Sequence, residues 1–280
     1  MNRPIQIALI GDVHRQFDQH DITQFNQSNY DLLLCTGDLS NRWHWEGMAV
    51  APQMARLQKP TLLIPGNHDT LTLPQLVAEI KQWPRLCRWL AWGQPRRLRQ
   101  WQRALGPVQV GGYSGHPVPG ADDVAVLVGR PFAMGGSVLH CQPQLQRQFG
   151  IGTMADSAAR LCQLVEQTPQ QKLIFLAHNG PTGLGRRRDS IWGNDFHPDE
   201  GILAIPICGR QLSLPGSRAK RCWRWWRGTC ITISAEKAIV PGIWCRTASI
   251  TSTLLAYREF LSGTAVPSTT TSASLSTATR

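Results

Sequence analysis

The sequence predicts a layered α/β fold, and three observations carry that expectation. Short apolar runs of strand length alternate with segments of helical spacing through the first 180 residues. Four of those runs end directly at small polar clusters, the edge at which α/β sheets build sites. The 280 residues are 42% apolar and 17% charged, enough for a sizeable buried core and too few charges for general disorder.

The elements follow in chain order. Ile5–Ile10 reads as a buried strand ending at Gly11-Asp12-Val13-His14. Residues 21–28 form a capped helix, and 31–35 a second strand that ends at Thr36-Gly37-Asp38. Residues 45–57 have helical spacing and lead through Pro60 to a third strand, 61–64, which ends at Pro65-Gly66-Asn67-His68-Asp69. Residues 74–83 read as a further helix, with Pro74 near its first turn. Residues 84–103 are rich in Arg and Trp and read as a solvated amphipathic helix that packs through Trp83, Trp89 and Trp101. Residues 111–136 are loop-rich with a strand near 124–128, residues 155–167 are helical, and 172–177 form a buried strand ending at His178.

Charge divides the chain. Residues 1–200 hold 19 Lys and Arg against 16 Asp and Glu, whereas residues 201–280 hold 10 against 2 and contain no aspartate. All eight histidines lie before residue 201, and the last 17 residues contain ten Ser or Thr, the composition of a disordered tail. The eight cysteines show no CxxC pairing, so neither a zinc ribbon nor a dithiol motif is expected. No apolar run approaches the roughly 20 residues of a membrane-spanning helix. The N-terminus runs straight into a strand without a signal peptide, so a cytoplasmic protein with no membrane association is expected.

The polar clusters have donor chemistry. Asp12 and His14, two residues apart in an extended segment, point the same way and can hold one ion. Carboxylate, imidazole and amide oxygen without thiolate suit Mn, Fe or Zn in a catalytic rather than a structural site. Taken singly, a GD dipeptide after a strand is a turn and a lone histidine is a rim residue. The ordered series D-x-H, GD, GNHD, H is what gives them weight.

That series resembles the calcineurin-like metallophosphoesterases, whose signature is D-x-H, GD, GNH[DE], a lone His and finally G-H-x-H. The resemblance implies a four-layer α/β/β/α sandwich with two divalent metal ions about 4 Å apart. Asp12 and His14 would hold the first, Asn67 and His178 the second, and Asp38 would bridge them. A hydroxide shared by the ions would attack phosphorus in line. His68 would steady the transition state or protonate the leaving oxygen, with Asp69 orienting its imidazole. The implied partner is a small phosphorylated substrate rather than nucleic acid, and Arg187, within Arg186-Arg187-Arg188, could meet its phosphate or lie in a basic surface loop. Domain organisation follows: a metallophosphoesterase domain over 1–200 and an atypical basic region over 201–280.

The final G-H-x-H is absent, since no histidine follows His197. We read residues from about Gly201 onward as a shifted reading frame. Back-translating residues 223–232 and reading from each codon's third position turns Trp-Arg-Trp-Trp-Arg into an apolar Ala-x-Val-Ala. The next codons permit Gly-His-Met-His-His. Residues 201–208 permit Asp-Phe-Gly-Asp-Pro-Asp-Leu in the same frame. The alternative is a genuine basic, Trp-rich extension that binds nucleic acid or a partner, on a catalytically defective member of the fold.

Overall fold

A computed structural model describes residues 4–11, 13–134 and 138–178, together with the backbone of three later strands at 221–222, 230–232 and 243–249. The elements are β1 (Ile5–Gly11), α1 (Gln19–Gln27), β2 (Leu32–Cys35), α2 (His44–Met54), β3 (Thr61–Leu63), α3 (Leu73–Ile80), α4 (Pro84–Leu90), α5 (Gln94–Ala104), β4 (Gln109–Val110), β5 (Ser114–Val118), β6 (Ala121–Val128), α6 (Gln142–Phe149), α7 (Met154–Gln167), β7 (Lys172–Leu176), β8 (Arg221–Cys222), β9 (Cys230–Thr232) and β10 (Ile243–Ser249). A single 3₁₀ turn at Ala91–Gly93 joins α4 to α5.

Two sheets form. The first is parallel in the order β10-β1-β2-β3-β4, and the second runs β5-β6-β7-β8, with β9 antiparallel to β7. Side-chain alternation sorts the buried residues into layers. Ile7, Leu9, Leu32, Leu34, Leu62 and Ile64 of the first sheet meet Val124, Val126, Val128, Ile174 and Leu176 of the second. The opposite faces carry helices. Ala8, Ile10, Leu33, Cys35 and Leu63 pack with residues of α1, α2 and α5, including Phe25, Val50, Met54, Leu98 and Trp101. Ala125, Leu127, Leu173 and Phe175 pack against Leu164 and Val165 of α7. The result is helices, sheet, sheet, helix, the four-layer α/β/β/α sandwich. Because β1, β2 and β3 are covered on both faces, they read as unbroken apolar runs rather than alternating ones.

Local signals place the helix starts. Asp18 caps α1 by accepting from the amides of His20 and Asp21, and Asp21 returns a carboxylate to the Asp18 amide. Thr153 and Asp156 build the same reciprocal cap on α7. Leu34 faces the opposing sheet and is fully buried. Its replacement by alanine is expected to cost about 2–5 kcal/mol, read as a lowered denaturation midpoint at an unchanged slope with denaturant.

Two expectations change. The Arg/Trp stretch does not pack as one solvated helix: Trp101 is buried, but Trp83 and Trp89 are exposed on α4 and its approach, because Cys87 and Ala91 take the inward positions there. The loop-rich segment also holds an antiparallel pair, β5 with β6, offset by an irregularity at Pro117/Val118, and the helix α6 beyond it. Pro117 and the glycines of this segment weaken its strand signal.

Candidate active site

The described polar clusters converge at one edge of the first sheet. His14 follows β1, and its loop is zipped to the loop after β2: the amides of His14 and Arg15 donate to the carbonyls of Asp38 (2.8 Å) and Leu39 (3.0 Å). The His14 imidazole is then fixed by its Nδ1, 3.1 Å from the Ser40 carbonyl. Ser40 is itself tied down, since its hydroxyl accepts from the Gly47 amide at 2.9 Å. Glu46 holds the same turn by accepting from the amides of Asn41, Arg42 and Trp43, and it pairs with Arg15 at 3.2 Å.

Asp38 is buried and sits at φ +51°, a left-handed conformation that a non-glycine residue adopts only under constraint. Asp69 supplies the constraint. One of its oxygens accepts from the amides of Asp38 (2.9 Å) and Gly66 (2.8 Å), and the other from the Leu39 amide (2.7 Å). The described hydrogen bonds of Asp69 go to backbone amides, and none of them is to the His68 imidazole. Both of its oxygens are taken by backbone amides, and it staples the loops after β2 and β3 together. It is a positioning residue. Burial first, then the neighbouring Asp38 charge, push its carboxyl up to about 7, against the pull of the Gly66 and Leu39 amides.

The two glycines of these loops are sterically required. A Cβ on Gly66 would run into the Asp38 carboxylate, and one on Gly37, itself at φ +85°, would strike the Gly66 amide and the Ile64 carbonyl. Gly66→Ala is thus expected to displace the Asp38 carboxylate and lower turnover far more than it lowers the melting temperature. Asp69→Asn brings an amide donor up to three buried amide donors, and is expected to destabilise the fold by about 1–3 kcal/mol. Parallel measurements of melting and turnover check both.

Asp38, Asn67 and His178 meet. His178 Nε2 lies 3.0 Å from Asn67 Oδ1 and 3.3 Å from Asp38 Oδ2, while its Nδ1 is 2.7 Å from the Thr36 carbonyl. The other Asp38 oxygen accepts from the His68 amide at 2.9 Å. Burial opposes ionisation of Asp38, yet the charge and hydrogen bond of His178, with help from His68, hold its carboxyl down to about 2. The His68 ring stands edge-on to the His14 ring, with centroids 6.1 Å apart. Asp12 and Arg187 lie outside the described residues.

This geometry tests the fit of a metal directly. A neutral imidazole whose Nδ1–H donates to a carbonyl presents only a lone pair at Nε2. At His178 that lone pair would face two oxygen acceptors, and such a convergence is stable only with a proton or a metal cation among them. Anchoring Nδ1 on a carbonyl is also how metal-bound histidines are oriented, and both His14 and His178 are anchored so. Asp38, Asn67 and His178 therefore present donors of the kind that suit a divalent cation, and His14 is held on its own loop in the same anchored way. Among the described residues no group of three or more His, Cys, Asp or Glu side chains is placed to hold a metal ion. The meeting set is one carboxylate, one imidazole and one amide.

The sequence profile of the calcineurin-like phosphoesterases matches residues 5–205. The chain belongs to the calcineurin-like phosphoesterase family. Membership makes it a phosphoesterase by class, a hydrolase, and accounts for the four-layer sandwich and for site loops at the ends of β1, β2, β3 and β7. A solved structure 14% identical in sequence aligns with a TM-score of 0.39, over 71% of this chain and 76% of that one. No curated protein matches the sequence.

The family motifs were legible in the sequence, but the carbonyls of Thr36 and Ser40 that fix the two imidazoles were not. Every residue has a backbone carbonyl, so no residue type could have signalled them.

Proposed function

We propose that the protein is a metal-dependent phosphoesterase that hydrolyses a small phosphomonoester or phosphodiester. The observation that carries this reading is the meeting of Asp38, Asn67 and His178 around a point that a divalent cation would satisfy in place of a proton. Asp12 and His14 would hold one divalent ion, Asn67 and His178 a second, and Asp38 would bridge them, with Mn, Fe and Zn all suited to such donors. When bound, the ions would polarise the phosphoryl oxygens and activate a water as nucleophile.

The chain's own groups do the rest. The His68 amide fixes the orientation of the Asp38 carboxyl, and His178 and His68 beside it favour its ionised form against burial. His68, whose ring stands edge-on to that of His14, would steady the transition state or protonate the leaving oxygen. Asp69 keeps the two loops in register. We assign this chemistry to residues 1–200, with the basic region 201–280 adding the strands β8, β9 and β10 to the two sheets.

A second reading, a catalytically defective member acting as a binding protein, is favoured by one fact: no histidine follows His197 to complete the ligand set. The two are separated by adding Mn²⁺ and a chromogenic aryl phosphate to the purified protein. Turnover that depends on metal and on Asp38 supports the first reading, and metal-independent or absent turnover the second.

A further inference from the structure

We propose that α3, α4 and the following 3₁₀ turn form a docking face for an anionic lipid surface. The first observation is that α3 turns an apolar face outward. Gln75, Ala78 and Glu79 are buried and Leu76 packs partly against the core, whereas Leu73, Val77 and Ile80, spaced four and three apart, face solvent. A helix placed only to be solvated would turn its polar side outward. Here the polar side is occupied inside: Gln75 donates to Gln94 at 2.8 Å, Gln94 to the Thr70 hydroxyl at 3.2 Å, and Arg97 to Gln75 at 2.9 Å.

The second observation is that exposed apolar residues continue along the chain through α4 and the 3₁₀ turn. Ile80 is 53% exposed, Trp89 73% and Trp92 82%, with Trp83 and Leu86 also exposed. Such a run is larger than the scattered apolar residues of an ordinary surface. The third is charge. From Leu71 to Leu105 there are seven Lys and Arg and one acid, Glu79, which is buried. Lys81, Arg85 and Arg88 stand exposed among the aromatics.

Aliphatic and indole side chains with interleaved arginines match the boundary between headgroups and acyl chains. Tryptophan sits there with one end apolar and one end wet, and cations meet anionic headgroups. Single-stranded nucleic acid would use the indoles and arginines but has no use for Leu73, Val77 and Ile80. The expectation that no membrane is involved rested on the lack of a spanning segment. Among the described residues no helix is long and apolar enough to cross, but a helix pair lying on a surface needs no such length.

The test is cosedimentation of the full chain with vesicles of phosphatidylcholine containing phosphatidylglycerol, against phosphatidylcholine alone. Binding to the mixed vesicles is expected, and it should weaken at least about tenfold in an Ile80→Ser, Trp89→Ser, Trp92→Ser variant that keeps every charge. Neutralising Arg85 and Arg88 to glutamine should weaken it about fivefold per residue. Trp89→Ser with Trp92→Ser alone serves if the triple variant melts below the parent. No binding to the anionic vesicles would overturn the proposal. So would undiminished binding by the tryptophan variants, which would assign the attraction to the basic region after residue 200. A fluorescent single-stranded oligonucleotide that binds the parent, is lost in those variants and is not displaced by vesicles would give the face to nucleic acid instead.

Discussion

In the chain re-encoded with the frame shifted from about codon 201, Asp38→Asn is expected to lower kcat/KM for an aryl phosphate by at least about 100-fold while leaving the protein folded. The substitution is nearly isosteric, and the amide oxygen can still accept from the His68 backbone, so the loop keeps its main restraint. What disappears is the negative charge that faces His178 at 3.3 Å and would bridge the metal ions. Removing outer partners of metal ligands typically costs 10–100-fold, and a group that touches both ions should cost at least that much. Stability should change little, because the buried charge lost is one that also opposes Asp69. The decisive comparison is turnover and bound metal in parent and variant at saturating Mn²⁺. Unchanged turnover in a folded variant would reject the assignment of Asp38.

The second large effect concerns the reading frame. A chain re-encoded with the frame shifted from about codon 201 is expected to hold two divalent ions per molecule and to turn over substrate robustly. The chain as written should hold them weakly and be slow or inactive. The argument is one of donors. The family pattern ends on two histidines, one for each metal, and this sequence offers none after His197. Metal affinity falls steeply as ligands are removed, since each remaining donor must do without the charge compensation of the full set. Metal content per chain, measured beside activity for both versions, checks the claim. Equal and robust activity of the two would show that the missing histidines do not matter, and a gene with no Gly-His-x-His in the third-position frame would end the idea.

Part of the architecture was readable because the physics behind it is local. β1, β2, β3 and β7 are covered on both faces and so appear as unbroken apolar runs, and α1 and α7 announce themselves through Asp18 and Thr153 at their caps. Other parts were not readable. β5 carries Gly115 and Pro117, which weaken a strand signal, and α6 begins after Cys141 at φ +55° with no side-chain cap. Trp89 and Trp101 look alike in the chain, yet one is exposed and the other buried. Helical spacing places residues on faces without saying which face meets the core.

The candidate site divides along the same line. The order of its donors and their positions just past apolar strands belong to the sequence alone, because a ligand's element type and its neighbours along the chain are properties of one dimension. The job of Asp69 and the anchoring of His14 and His178 belong to the folded chain. Those roles arise from loops more than twenty residues apart being pressed together, where a carboxylate binds whichever amides it meets and an imidazole turns toward whichever carbonyl is within reach.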